Sequence, residues 1–286
     1  MSDATDPLPP GTQRLDVAAP FGRRRLPLAD AVAATLSSVP APEISVVIPL
    51  HNERDNVLPL VRQVFEALRG YELEIILVDD ASRDGTWERM LEAQQADSRV
   101  RLLRHLQQSG QSAALWSGFS ASRGNIIATL DGDRQNDPAD FPKMLAELGR
   151  CDLVCGVRVT RQDNGLRRVS SVIARRARKL VLGVDFRDTG CNLRVMKRQV
   201  LRTLLPFDGI HRFMPVLAQD AGAVVAEVPV AHHPRVAGRS KYGIWNRLGR
   251  GLKDLSMLAW YRKRQLQNVP VVEYQPHRED APGRQA

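Results

Sequence analysis

The stretch Ile44-Ser45-Val46-Val47-Ile48-Pro49-Leu50-His51-Asn52-Glu53 marks an abrupt change of texture in the chain. A β-branched run halted by proline has the character of a strand buried on both faces of a parallel sheet, and a polar cluster follows it directly. Beyond it, Val57, Leu60, Val61, Val64, Phe65 and Leu68 recur at three and four residues, which puts them on one face of a helix closed by Gly70. Residues 74–78 repeat the strand pattern, Asp84-Gly85 marks a turn, and Trp87, Met90 and Leu91 form the inner face of a second helix. Further strands are expected at 100–103, 126–130 and 152–155, with a helix over 113–121 between the first two. Such alternation predicts an α/β fold with a mostly parallel sheet, helices on both faces, and ligand at the carboxyl ends of the strands.

The 286 residues suit one main domain. Residues 1–42, rich in Pro and Ala, read as a mobile leader, 43–265 as the domain, and 266–286 as a loose tail. Lys+Arg 41 against Asp+Glu 32 leaves a net charge of +9, which implies a polyanionic partner. Past about residue 160 two basic amphipathic segments follow. In one, Val169, Val172, Ile173, Ala177, Leu180 and Val181 face Arg168, Arg175, Arg176, Arg178 and Lys179. In the other, Trp245, Leu248, Leu252, Leu255 and Ala259 face Arg247, Arg250 and Lys253. Each suits either packing on the sheet or contact with an anionic lipid surface. No apolar run is long enough to cross a bilayer and no signal peptide is legible, so a cytoplasmic protein peripheral to a membrane is expected. Cys151, Cys155 and Cys191 read as free buried thiols rather than a disulfide framework.

Chemistry concentrates where strands end. Thr129-Leu130-Asp131-Gly132-Asp133-Arg134-Gln135 places two carboxylates one residue apart after an apolar strand, so an end-of-strand turn can aim both at one point. Hard oxygen donors of this kind suit Mg²⁺ or Mn²⁺ held together with nucleotide phosphates. Asp79-Asp80 ends the second strand, and we expect a ligand role for Asp80 and a turn role for Asp84. Pro49, His51 and Glu53 add a third polar cluster on the same edge.

These residues, with Val78-Asp79-Asp80, Gly110-Gln111-Ser112-Ala113-Ala114, Gly156-Val157-Arg158, Asp188-Thr189-Gly190-Cys191-Asn192-Leu193-Arg194 and Arg235 with Gly238-Arg239-Ser240-Lys241-Tyr242, fall in the order of a known family. The chain resembles the inverting nucleotide-sugar glycosyltransferases of family 2, with the Rossmann-like GT-A fold. Within that family it is similar to dolichyl-phosphate mannosyltransferase and bacterial undecaprenyl-phosphate sugar transferases. The resemblance implies that Pro49, His51, Glu53, Val78 and Asp80 border the donor's base and ribose. It further implies that Asp131, Gly132 and Asp133 meet sugar and diphosphate, with Asp131 and Asp133 central to catalysis, and that Asp133 and Gln135 ligate the metal. Arg158, Arg235 and Lys241 correspond to cations that contact donor or acceptor phosphate. Two departures stand out: Arg134 where many relatives have Leu, and His51 where many have Tyr.

The implied reaction moves a hexose such as mannose or glucose from a GDP- or UDP-sugar to a polyprenyl phosphate, with a separate membrane subunit as a further partner. An acceptor phosphate is already anionic, so no strong general base is required. The runner-up is a soluble glycan or protein hydroxyl acceptor, which needs a carboxylate base. A nicotinamide dehydrogenase is disfavoured because no Gly-x-Gly-x-x-Gly follows the first strand. A nucleic-acid module explains the charge, yet only 5% of residues are aromatic and no binding motif is present. His232-His233 lack metal-ligand spacing and read as structural.

Overall fold

The computed structural model describes residues 41–159, 175–176, 179–234 and 244–264, with side chains in the last segment from 253 onward. The sequence pattern is realised as strand β1 (Ile44–Leu50), helix α1 (Val57–Ala67), β2 (Leu73–Asp79), α2 (Thr86–Ala96), β3 (Val100–Arg104), α3 (Gln111–Ala121) and β4 (Ile126–Thr129). Then come α4 (Phe141–Glu147), β5 (Leu153–Arg158), β6 (Arg194–Lys197), α5 (Ile210–Asp220), β7 (Val225–Val230) and α6 (Ile244–Arg262). One seven-stranded sheet runs in the order β3-β2-β1-β4-β6-β5-β7. Only β6 is reversed, pairing antiparallel with β4 and β5, while β1, β2, β3 and β4 are mutually parallel and β5 pairs parallel with β7.

Alternation along β1 and β2 divides the core. Val46, Ile48, Leu50, Ile75 and Leu77 point into one layer with Leu60, Val64, Met90 and Phe141. Val47, Ile76 and Val78 point into the other with Leu115, Phe119, Phe213 and Leu255. Each such side chain removed from water contributes about 1.5–3 kcal/mol, and covering both faces explains why the strands read as continuous apolar runs. Helix α3 lies tight on β1: a Cβ at Gly118 would stand 2.2 Å from Val47 Cγ1, so only glycine fits there.

Cys151, Cys155 and Cys191 are free and buried, and burial pushes the Cys155 thiol up to about 12. Residues 1–40, most of the first basic segment, residues 235–243 with Arg235 and Lys241, and the tail lie outside the described residues. Helix α6 occupies the second basic segment. Leu255 and Leu258 are buried on it, while Met257 and Trp260 are exposed. No helix among the described residues is long and apolar enough to cross a membrane.

Candidate active site

Parallel register brings the strand ends together: Leu50 pairs with Asp79, Asp79 with Arg104, and β4 runs beside β1 toward Leu130 and Asp131. Three non-glycine residues in the left-handed region lie on this edge: Asn52 (φ 56°), Ala81 (φ 56°) and Arg134 (φ 57°). Backbone strain of this kind clusters where a loop must hold a particular shape.

The loop after β4 is drawn against β1. A Cβ at Gly132 would meet Leu50 Cδ2 at 2.4 Å and the Pro49 carbonyl oxygen at 3.1 Å, so glycine between the two aspartates lets that loop close onto the sheet. Asp133, 9% exposed, accepts a hydrogen bond from the Gln135 amide at 3.2 Å. Gln135 in turn is tied to the chain after β7: its carbonyl accepts from the His233 amide at 2.8 Å, and Asn136 bridges His232. Asp131 Oδ1 accepts from Gln111 Nε2 at 2.6 Å and from Asn192 Nδ2 at 2.8 Å. Burial, and then the charge of Asp133, push Asp131 up to about 6.

The donor-side residues divide. His51 Nδ1 donates to the Asp80 carbonyl at 2.6 Å, and Asn52 Nδ2 lies 3.3 Å from His51 Nε2. Glu53 uses its amide on Thr86 Oγ1 and accepts from Asn56 at Oε2, so its loop is tied to α2. Pro49 lies on β1 opposite Val78. Val78 departs from the expectation: its side chain is 0% exposed in the layer against α3, because strand alternation turns it away from the cleft edge, and only its main chain can border a donor. Asp80 is held by the chain itself. Its Oδ1 accepts from the Ser109 amide (2.7 Å) and pairs with His105 Nδ1 (2.8 Å), and its Oδ2 accepts from the Gly110 amide (2.8 Å). Burial alone would raise the Asp80 carboxyl, but these hydrogen bonds outweigh it and hold the group below its ordinary range. Asp84 Oδ1 accepts from the amide and the hydroxyl of Thr86, which braces the turn that leads into α2.

Arg158 is held by a bidentate pair with Asp188 at 2.7 and 2.8 Å, which uses one N–H on Nε and one on Nη2 of its five. Arg134 turns back to Gln63 of α1 at 3.4 Å, so this departure from the common residue faces the helix. Sequence reading assigned no role to Gln111, Asn192, His105 or buried Arg194, whose Nη2 donates to the Thr189 carbonyl at 3.0 Å. Their partners are scattered along the chain; Gln111, Asn192 and Arg194 lie in stretches that carry the family resemblance, but the resemblance gives them no role.

No group of three or more His, Cys, Asp or Glu side chains able to hold a metal is present among the described residues. The oxygen set does fit a divalent cation shared with phosphates. Two carboxylates sit at one strand end, and the side chain of Gln135, whose Nε2 donates to the His233 carbonyl at 3.4 Å, brings an amide oxygen as a further hard donor; a cation there would offset both the burial and the charge of Asp133 that raise Asp131.

Residues 45–205 match the model of Glycosyl transferase family 2. The chain belongs to that family. It is 36% identical over 245 residues to dodecaprenyl-phosphate galacturonate synthase of Rhizobium johnstonii, covering 81% of this chain and 71% of that protein. To undecaprenyl-phosphate 4-deoxy-4-formamido-L-arabinose transferase of Pseudomonas fluorescens it is 37% identical over 203 residues, covering 70% of this chain and 60% of the relative. The Salmonella paratyphi B enzyme of the same name is 36% identical over 209 residues, and this chain spans 64% of its length. Among solved structures, glucosyl-3-phosphoglycerate synthase from Mycobacterium tuberculosis, in complex with Mn²⁺, UDP and phosphoglyceric acid, superposes with a TM-score of 0.62 at 20% identity, covering 86% of each chain. Its complex with Mg²⁺ and UDP gives 0.60 at 20% identity, covering 82% of each. This family-2 glycosyltransferase therefore has the GT-A-type fold, and the strand ends described above are its candidate active site.

Proposed function

We propose that this glycosyltransferase moves a sugar from a nucleoside diphosphate donor to a polyprenyl phosphate, with inversion at the anomeric carbon. The observation that carries the reading is the convergence of Asp131, Gly132, Asp133 and Gln135 at the end of β4, in a chain whose curated relatives act on dodecaprenyl and undecaprenyl phosphates. Those relatives transfer galacturonate and 4-deoxy-4-formamido-L-arabinose, so the donor search widens beyond the mannose and glucose suggested by the sequence.

In the reaction an acceptor phosphate oxygen forms a bond to the anomeric carbon as the bond to the donor diphosphate breaks, and the nucleoside diphosphate leaves with the electron pair. Asp133 and Gln135 are the residues that would hold Mg²⁺ or Mn²⁺, which supplies charge neutralisation to the leaving diphosphate. Arg158 adds its charge there, with Arg235 and Lys241 as further candidate cations. Asp131 takes the sugar. The acceptor oxygen is anionic at neutral pH, so no side chain has to remove its proton.

A lipid acceptor requires the enzyme to reach a membrane. Met257 and Trp260 on α6 and Leu180 and Val181 before β6 are exposed, and Arg262 links the two segments by donating to the Leu182 carbonyl, while it also pairs with Asp220 of α5 at 2.8 Å. Exposed Lys263 and Arg264 flank them, whereas Arg175 and Lys179 share Asp185 and so offer less free charge. Docking through this face fits an anionic leaflet.

The test is a screen of UDP-galacturonate, UDP-glucose and GDP-mannose with undecaprenyl phosphate, read as nucleoside diphosphate release. Release that requires the lipid phosphate supports the reading, and release driven equally by a soluble glycan acceptor defeats it. Sedimentation with vesicles tests docking: binding to anionic but not neutral lipid that weakens with salt and with Trp260→Ala is expected, and salt-independent binding to both would overturn it.

A further inference from the structure

We propose that Gln111 and Asn192 are positioning residues, which grip the Asp131 carboxylate by one oxygen and turn the other toward the donor sugar. This inference rests on the reading of Asp131 as the sugar-facing carboxylate.

Both amides reach the same atom. Gln111 Nε2 stands 2.6 Å and Asn192 Nδ2 2.8 Å from Asp131 Oδ1, and among the described residues no hydrogen bond reaches Oδ2. Two donors on one oxygen fix the carboxylate's rotation about its last bond, which is otherwise broad and roughly two-fold. The remaining oxygen keeps its acceptor capacity for a substrate hydroxyl.

The grip is stiff because each amide is anchored from a different side. Gln111 is the first residue of α3, and the two amides before it, Ser109 and Gly110, are fastened to Asp80 at the end of β2. Asn192 is 4% exposed, and its carbonyl accepts from Thr129 Oγ1 of β4 at 2.6 Å. Upstream of it, the Thr189 carbonyl is held by Arg194, a guanidinium with 0% exposure, and the Gly190 amide by Asp188. Neither amide owes its place to the other, so Asp131 is located by two independent supports. Preorganised groups of this kind act in the transition state without reorganising during the reaction.

The experiment compares full-length wild type with Gln111→Met and Asn192→Leu, which are close in size and lack the donor, and with Gln111→Lys, which restores one. Donor kcat and KM are measured with the nucleotide sugar that the wild type turns over, and UDP affinity is measured in the presence of Mn²⁺. Each donor-deleting variant is expected to lose about 10- to 100-fold in kcat/KM, the range of one aimed hydrogen bond. UDP affinity should stay within about three-fold, since the grip concerns the sugar rather than the nucleotide, and Gln111→Lys should recover part of the loss. Unchanged kcat/KM, or UDP affinity falling in step with it, would overturn the proposal. A crystal structure of Gln111→Met provides a readout independent of turnover: a rotated Asp131 carboxylate supports the grip, and an unmoved one defeats it. Wild type inactive with every donor would instead count against the proposed function.

Discussion

Asp80 and Asp131 close parallel strands on the same edge of the sheet, yet the fold uses them in opposite ways. Asp80 takes hydrogen bonds on both oxygens, from the Ser109 and Gly110 amides and from His105, and its carboxyl is held low. Asp131 is engaged on one oxygen, and burial beside Asp133 pushes it up to about 6. A carboxylate that accepts three hydrogen bonds from the chain, at both oxygens, works as a clasp, and one engaged on a single oxygen beside a like charge is poised for a ligand. Position at a strand end therefore does not by itself mark a catalytic acid. The arrival of main-chain amides decides.

The largest expected effect breaks the ligand side of the contrast. Asp133→Asn should reduce metal-dependent sugar transfer by about 100-fold or more with little change in the unfolding midpoint, because it removes a charged ligand but keeps the volume. Full turnover of this variant in EDTA would refute the role of the pair. The clasp side should respond in stability rather than in rate. Asp80→Asn sets an amide N–H against a main-chain N–H donor, and leaving such a buried group unsatisfied costs about 1–3 kcal/mol. A fall in the unfolding midpoint, larger than any fall in UDP affinity, is expected from denaturation and calorimetry, while unchanged stability would refute the clasp role of Asp80.

A smaller effect comes from a third buried group. His211 Nδ1 lies 2.8 Å from Ser112 Oγ where α5 meets α3, and Arg212 Nε donates to His211 Nε2 at 3.2 Å, which leaves the hydrogen on Nδ1. Burial, then the charges of Arg212 and Arg194, depress this histidine to about 3. Below pH 6.5, its ordinary value, the unfolded chain takes up a proton that the folded chain refuses, so stability declines as pH falls through the window down to about 3. Between pH 7 and 5 this removes about 2 kcal/mol at roughly 1.4 kcal/mol per pH unit, and His211→Gln should flatten that limb. Asp80 acts in a separate window: its contribution is present above its ordinary 3.8 and is lost as pH drops below it. Equal acid sensitivity of wild type and His211→Gln in urea titrations would contradict the assignment.

The parallel half was legible in the amino acids because β1 and β2, its central strands, are buried on both faces and carry nearly continuous apolar runs. The other half conceals itself. β6 is four residues with Arg194 and Lys197 at its ends, and a fully buried arginine contradicts an apolar strand pattern. β7 contains Pro229 and Glu227, which its place at the sheet edge tolerates, and α5 carries Pro215 in its interior. In the site, Asp131, Gly132 and Asp133 announce themselves by spacing, whereas the donors that define Asp80 and Asp131 come from residues far along the chain. No local pattern records those meetings.

The reversal of β6 has a consequence for how such an enzyme can diversify. β5 ends at Arg158 and β6 begins at Arg194 on the same rim of the sheet, so the chain from 159 to 193 leaves and rejoins the framework at one border. A segment inserted between two neighbouring posts can be lengthened or exchanged without disturbing the pairing of any strand. The described end of that stretch is not free to vary in the same way: Asp188 pairs with Arg158, and Asn192 holds both Thr129 and Asp131, so exchange there would be felt at the end of β4.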